Sequence, residues 1–350
     1  MTFILQQSEL INALNIASKA LGSGFVIATT CFRFHDNSIT ACNMEISISC
    51  RIDLPDIDIL IPGEQIKNLI ASLPDQPIIF DIDGIDIKIK TSSGVYEMVG
   101  ETGEDFPTIK TVSESEITLP FEDLTEALFR TSYTKLNDST ANVLNAVQVK
   151  FSKDKTSFAA FNGVSFALFN LKATGDGELL LPSGIISALS NIQLSGECIV
   201  NYSKNSITIK HGDVTLKSIL LDGLYLDWAN VLKIPTSYCQ IERKSLISAI
   251  KRVLMFSNRV SNDISISVSD KVVIKGEDID LKNKAEETIA SSGDEIVIGL
   301  NGMFLIESLN KLQSDVVYMY YSTFSQPALF RENLDDPNFC LLAPIVIKAR

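Results

Sequence analysis

Catalytic equipment is what this 350-residue chain has least of. It holds two histidines, His35 and His211, and one tryptophan. Neither histidine stands beside a serine or cysteine nucleophile signature, and no H-E-x-x-H spacing is present. Nucleophilic and zinc-hydrolytic centres are therefore not expected. The six cysteines (Cys31, Cys42, Cys50, Cys198, Cys239 and Cys340) form no C-x-x-C pair, and most lie in apolar runs such as Phe339-Cys340-Leu341-Leu342. They read as buried free thiols of a reducing compartment. Gly22-Ser23-Gly24 ends a helical pattern instead of opening one and lacks the Lys-Ser/Thr of a phosphate loop. The alternating acids Asp56, Asp58, Asp81 and Asp83 read as solvated strand faces, not as a carboxylate metal site. No apolar run approaches the roughly 18–20 residues that span a bilayer, and no basic region precedes the short apolar stretch at the N-terminus. The expectation is a cytoplasmic protein with no catalytic residue, no metal, no cofactor and no membrane contact.

What is present is repetition. A Leu-x-x-Ala-(Leu/Ile) kernel occurs as Leu10, Ala13 and Leu14, as Leu124, Ala127 and Leu128, and as Leu246, Ala249 and Ile250. A second pattern lies between the copies: Ile61-Pro62 before Ile66 and Leu69, Leu181-Pro182 before Ile186 and Leu189, Leu300-Asn301 before Leu305 and Leu309. The copies are roughly 115–120 residues apart, a period that signals three similar domains. Turn-rich polar stretches at 111–116 and 232–237 place the domains at 1–114, 115–236 and 237–350.

Each third opens on a short strand and an amphipathic helix. Ser8 or Gln7 can cap the first helix, which runs to about Leu21; the second runs over 121–136 and the third over 243–256. Alternating strands follow, with a hairpin signal at Asp83-Gly84 and turns at Lys204-Asn205 and Gly212-Asp213. Strands with one buried and one wet face imply two helices on an antiparallel sheet in each unit, an α+β fold.

The net charge of −13 is unevenly distributed. The segment 243–256 carries Arg243, Lys244, Lys251 and Arg252 and no acid, while the other five helices are near neutral. The six helices together hold about +3, leaving about −16 for strands and loops. A mild helical surface on an acidic body suits loose, sequence-independent contact with phosphates.

Ordered local motifs resemble those of the bacterial sliding clamp, the beta subunit of DNA polymerase III. Glu104-Asp105-Phe106-Pro107 is similar to the family's D-F-P, and Phe161-Asn162-Gly163-Val164-Ser165-Phe166 stands where the family has T-D-G-H-R-L. Leu181-Pro182 before a helix is similar to its V-P-x-K. Leu220-Leu221-Asp222-Gly223-Leu224-Tyr225-Leu226-Asp227-Trp228 resembles L-V-D-G-R-F-P-D-Y. Ile298-Gly299-Leu300-Asn301 resembles I-G-F-N, and Leu341-Leu342-Ala343-Pro344-Ile345 resembles V-V-M-P-M. The chain departs from the pattern at Val164-Ser165 (His-Arg in the family), at Asn230 (Arg), at Phe25, where a basic residue is usual, and in the extra tail Lys348-Ala349-Arg350.

The resemblance implies three DNA-clamp domains forming half of a closed ring. Two subunits join head to tail, and the helices line a hole around duplex DNA. It implies a processivity factor that tethers the replicative polymerase and meets its clamp loader through linear peptide motifs. The channel cations would be Lys19, Lys67, Arg130, Lys135, Arg243, Lys244, Lys251, Arg252 and Lys311. A partner-peptide cleft between the second and third domains would use Leu144, Gly163, Val164, Phe166, Leu226, Val231, Asn301, Phe304, Leu342, Ala343, Pro344 and Ile345. At the subunit joint Tyr96 and Met98 would face Met255 and Phe256. A clamp-fold scaffold for repair or mobile-element proteins that does not encircle DNA is the competing reading, favoured by the thin basic inventory outside 243–252.

Overall fold

The structure is a computed structural model that describes residues 1–24, 26–136 and 143–346, with Asn230 and Val231 described by backbone alone. Phe25, the Val231 side chain and the tail 348–350 lie outside the described residues. One order of elements occurs three times along the chain: strand, helix, four strands, helix, three strands. It spans 2–99, 115–219 and 237–342, as the repeated kernels require.

The chain divides into two compact units. The first comprises Met1–Thr125, Phe151–Asp154 and Ala173–Asp222. Its smaller sheet runs in the order Thr2–Gln6, Pro77–Asp83, Asp86–Lys90, Val95–Val99, all antiparallel. Asp83 pairs with Asp86, so the tight turn falls on Gly84-Ile85, with Gly84 in the left-handed region at φ +60°. The larger sheet has nine strands: Ser115–Pro120, Glu197–Tyr202, Ser206–His211, Val214–Ile219, Ile46–Arg51, Ser38–Cys42, Cys31–His35, Asp58–Pro62 and Glu101–Thr102. Val214–Ile219 meets Ile46–Arg51 with Leu216 opposite Ile48. A strand of the second repeat thus continues the sheet of the first.

The helix Gln7–Ala17 buries Gln7, Leu10, Ala13, Leu14 and Ala17, one face of a 3.6-residue period. That face packs on Ser38–Cys42, on Ile46–Arg51 and on the helix Gly63–Ser72. The expected cap at Ser8 or Gln7 is not the one found. Gln6 occupies the cap position without a side-chain bond. The Ser8 N–H is instead taken by Asp75 Oδ1 at 3.2 Å, a partner too far along the chain for local pattern to reveal.

The second unit comprises Glu126–Lys150, Lys155–Lys172 and Gly223–Arg350. Its four-stranded sheet runs Asn283–Ile289, Val272–Asp278, Asp263–Val268, Ile296–Asn301. The helices Arg243–Leu254 and Gly302–Asn310 pack on each other. Leu246, Ile250, Val253, Leu305 and Leu309, each fully buried, join Ile266, Ile274 and Ile298 in one core. Each such side chain contributes roughly 1.5–3 kcal/mol through burial. A further run of strands holds Thr156–Phe161, Ser165–Leu171, Phe339–Leu342, Ala328–Arg331, Val316–Tyr321 and Ser237–Glu242 in that order. Here Ser165–Leu171 pairs with Phe339–Leu342, again joining strands of successive repeats.

Candidate functional site

The two histidines have structural partners. His211 Nε2 lies 2.9 Å from the Ser195 carbonyl and packs edge-on against Phe121. His35 Nδ1 lies 3.2 Å from the Ile57 carbonyl. All six cysteines are buried free thiols, and burial pushes Cys50, Cys239 and Cys340 up to about 12. They stay protonated at neutral pH and are poor nucleophiles. Among the described residues no group of three or more His, Cys, Asp or Glu could hold a metal ion, and no described helix is long and apolar enough to cross a membrane.

The nine helical cations fall into different classes. Lys19, Lys244, Lys251 and Arg252 are exposed. Lys251 makes no ion pair or hydrogen bond with the described residues; Lys244 holds a loose 3.4 Å pair with exposed Asp315. Arg252 is clamped in two-pronged fashion by Glu287 at 2.6 and 2.9 Å. Lys67 donates to Ser18 Oγ at 2.9 Å. Burial, and then the neighbouring charge of Lys19, lower its pKa. Two lysines on two helices therefore repel one another, a cost that an intervening phosphate would relieve. Lys311 sits 3.8 Å over the Phe129 ring, and burial lowers the pKa of both Lys311 and Lys135.

Arg243 and Arg130 are held more deeply within the protein. The Arg243 guanidinium donates to the carbonyls of Ser314 (2.6 Å) and Leu309 (3.3 Å), closing the C-terminal end of the helix Gly302–Asn310. Arg130, its side chain 10% exposed, bonds Glu126 Oε1 at 2.6 Å and Glu332 Oε1 at 2.8 Å. Its planar head also lies over Phe169. The assignment of Arg130 as a free channel cation is therefore corrected: its charge is neutralised by two carboxylates of its own chain.

Most of the expected cleft residues come together in the second unit. The Val164 carbonyl accepts from the Ala343 N–H at 2.8 Å, and Phe166 stands opposite Leu341 in the pairing that carries Gly163 and Pro344 just beyond it. Asn162 shapes this turn, its Oδ1 accepting from Val164 N and Ser165 N, while Gly163 takes φ +92°. The Trp228 ring lies 6.0 Å from the Phe166 ring, its indole Nε1 donates to Gln148 Oε1 at 2.7 Å, and its backbone N–H donates to the Leu226 carbonyl. Leu144 precedes Ala146, whose carbonyl receives the Tyr225 hydroxyl. On the other side Ile345 N donates to Gly299 O at 2.9 Å, on the strand that ends at Asn301.

Three of these residues do other work. Phe166 (2% exposed) belongs to a buried cluster with Ala159, Leu329 and Phe339. Leu342 (1%) belongs to the core beneath the helices. Neither can touch a ligand without repacking, which corrects their placement on a cleft surface. The Asn301 carbonyl oxygen caps the helix Gly302–Asn310 by accepting from Met303 N and Phe304 N, and its amide donates to Ser261 O at 2.8 Å. Phe304 packs half-buried against the same core.

A groove of about 740 Å³ beside Pro344 and Ile345 was not foreseen. Ile296, Val297, Gly299, Phe324 and Val346 complete its apolar wall, and Phe324 is 73% exposed. The one sequence signal for it was an aromatic residue in the turn Ser322-Thr323-Phe324-Ser325.

At the expected joint the structure also differs. Met98 (8% exposed) points into its own sheet opposite Ile87, so it is a core residue and not part of a docking face. The exposed alternates on that strand are Val95 (57%), Glu97 and Val99 (60%). Tyr96 is half-buried, whereas Met255 (70%) and Phe256 (45%) are exposed at the end of the helix Arg243–Leu254. Val95–Val99 and Asn283–Ile289 are each the terminal strand of a four-stranded sheet.

Comparison with known proteins bears on the chain from end to end. A family model described as "DNA polymerase III beta subunit, C-terminal domain" matches residues 233–345. The beta sliding clamp of Synechococcus elongatus is 23% identical over 361 residues, covering 94% of this chain and 95% of the relative. That of Vibrio cholerae is 23% identical over 357 residues, covering 96% and 97%. The crystal structure of the sliding clamp of Pseudomonas aeruginosa bound to griselimycin superposes with a TM-score of 0.92 at 20% identity, covering 99% of this chain and all of that one. A thrice-repeated element order, motifs in family sequence from Phe106 to Ile345, and likeness over the full length give this chain the fold of the bacterial sliding clamps, the beta subunits of DNA polymerase III, and residues 233–345 match that family's C-terminal domain.

Proposed function

We propose that this protein is a non-catalytic processivity factor, working in the cytoplasm, that encircles duplex DNA as a head-to-tail homodimer and tethers a DNA polymerase to its template. Each pass through the repeated element order is a domain in this reading, with bounds at 1–114, 115–236 and 237–350. The observation that carries it is the three-fold repeat of the element order together with the terminal sheet strands Val95–Val99 and Asn283–Ile289. An open edge asks for a partner strand, and two different edges on one chain allow a closed, two-fold assembly. The full-length likeness to beta sliding clamps supports the same reading over the scaffold alternative.

DNA would be met by Lys19, Lys67, Lys135, Lys244, Lys251 and Lys311, with Arg252 available if it leaves Glu287. A thin set of cations suits enclosure, because a ring needs no strong phosphate contact and a weak one permits sliding. The test loads labelled protein on nicked circular DNA and then linearises the circle. Retention on the circle with loss after cutting is expected; equal loss from both, or a monomer by sedimentation at micromolar concentration, rejects the reading.

Partner peptides would lie along Val164, Ala343, Pro344 and Ile345 and place an apolar side chain in the groove beside Phe324. Phe324→Ala is expected to weaken binding of a fluorescent apolar peptide or of griselimycin at least tenfold, about 1.4 kcal/mol. Fluorescence anisotropy reads the affinity, and unchanged sedimentation shows that the dimer is intact.

A further inference from the structure

The nine-stranded sheet has one face packed on the helix Gln7–Ala17 and another that is polar to an unusual degree. On the strand Cys31–His35 the residues Phe32 and Phe34 point to the core, while Arg33 and His35 take the opposite side. The pleat repeats this choice on the neighbours. Ile39 and Ala41 are buried against Ser38 and Thr40, Ile48 and Cys50 against Ser47 and Ser49, and Leu216 against Thr215 and Lys217. Register aligns the polar set across four strands: Arg33 faces Thr40, Thr40 faces Ser49, and Ser49 faces Thr215. Lys217 stands beside Ser47 in the next row.

The segment 106–109 covers part of this face and leaves a cavity of about 180 Å³. Arg33, His35 and Lys217 line it together with the hydroxyl ladder, and no carboxylate does. In a chain of net charge −13 that is a local reversal of sign.

The arginine is held ready. Its Nε and Nη2 donate to Asp58 Oδ1 and Oδ2, both at 2.8 Å, which fixes the guanidinium plane and leaves Nη1 without a partner among the described residues. The Phe106 ring lies 5.6 Å from its head group. Gly103 makes room for this arrangement, since a Cβ there would fall 1.8 Å from Asp58 Oδ1. Lys217 is half-buried and makes no ion pair or hydrogen bond with any described residue. A fixed guanidinium, an unpaired ammonium and several hydroxyls around one small cavity are the donors that a tetrahedral oxyanion needs.

We propose that this cavity binds a phosphate group, either inorganic phosphate or the phosphate of a small monoester. Arg33 Nη1 and Lys217 Nζ are the charged donors, and Thr215 and Ser47 supply neutral ones. The site lies on the sheet face opposite the helix Gln7–Ala17, whose 3-10 extension Ser18–Ala20 bears Lys19, so it is separate from the DNA contacts proposed above and stands independently of them.

Isothermal titration of the full-length protein with inorganic phosphate tests the site. Saturable one-to-one binding with a dissociation constant below about 1 mM is expected. Lys217→Ala should weaken it at least tenfold while the thermal midpoint without phosphate stays unchanged. Lys210→Ala, which removes a lysine of the neighbouring strand that does not line the cavity, should bind as the parent does. A parallel titration with AMP separates the sources: tighter binding than phosphate identifies a monoester, equal or weaker binding the free ion. Absence of saturation up to about 10 mM phosphate, or equal weakening by both lysine variants, overturns the proposal.

Discussion

Arg130 and Glu332 are 202 residues apart in the chain and 2.8 Å apart in the fold. Burial of Glu332 alone would raise its carboxyl pKa. The Gln313 N–H and the Arg130 guanidinium outweigh that effect and hold it below the ordinary value of 4.5. A depressed carboxylate binds fewer protons folded than unfolded, so its stabilising contribution is complete above pH 4.5 and is lost as pH falls through the lower folded value. Glu332→Gln should therefore cost stability at neutral pH and flatten the acid limb of the stability profile, measured by urea unfolding between pH 3 and pH 7. Arg130→Ala should cost about 3 kcal/mol at neutral pH, because it strands a largely buried carboxylate. This pair marks where sequence reading stops. The basic residue and Glu126 four residues before it were visible on one helical face, but the second acid that holds Arg130, Glu332, arrives from another repeat. Phe166, Leu342 and Met98 fail for a related reason: an apolar residue next to a turn looks the same whether its strand turns it toward the core or toward a ligand.

Elements were more readable than residues. The hairpin of Pro77–Asp83 with Asp86–Lys90, and the helix Arg243–Leu254 with its buried stripe, follow from alternation and from 3.6-residue spacing. Strand order across repeats does not, because pairing of Val214–Ile219 with Ile46–Arg51 is a long-range choice that no local pattern encodes. The edge strand Val95–Val99 carries a prediction at this scale. A charge on its exposed valine positions should block addition of another strand. Val99→Lys is expected to shift the protein to monomer in analytical ultracentrifugation and to leave its circular dichroism unchanged. A variant that stays dimeric would move the joint elsewhere.

For the whole molecule, the sign of the charge sets the terms of DNA binding. Lys251 and Lys19 belong to a chain of net charge −13, so open-ended association with DNA should be weak and should fall steeply with salt. The slope should lose roughly 0.9 for each phosphate contact removed. Lys251→Ala should lower that slope on linear DNA. Protein already loaded on a closed circle should resist the same salt, since topology, unlike attraction, is not screened. Retention on circles at high salt, read by gel filtration, is the expected outcome.

The shared sheets also limit how the molecule can be dissected. Ile46–Arg51 and Val214–Ile219 hydrogen-bond across a repeat boundary, and Ser165–Leu171 with Phe339–Leu342 do so across the next. Excising any single repeat would strip a mostly buried strand of its neighbour and leave a sticky, apolar border in water. Triplication here has left modules that can no longer live apart, and fragments cut at the repeat limits should precipitate where the intact chain stays dissolved.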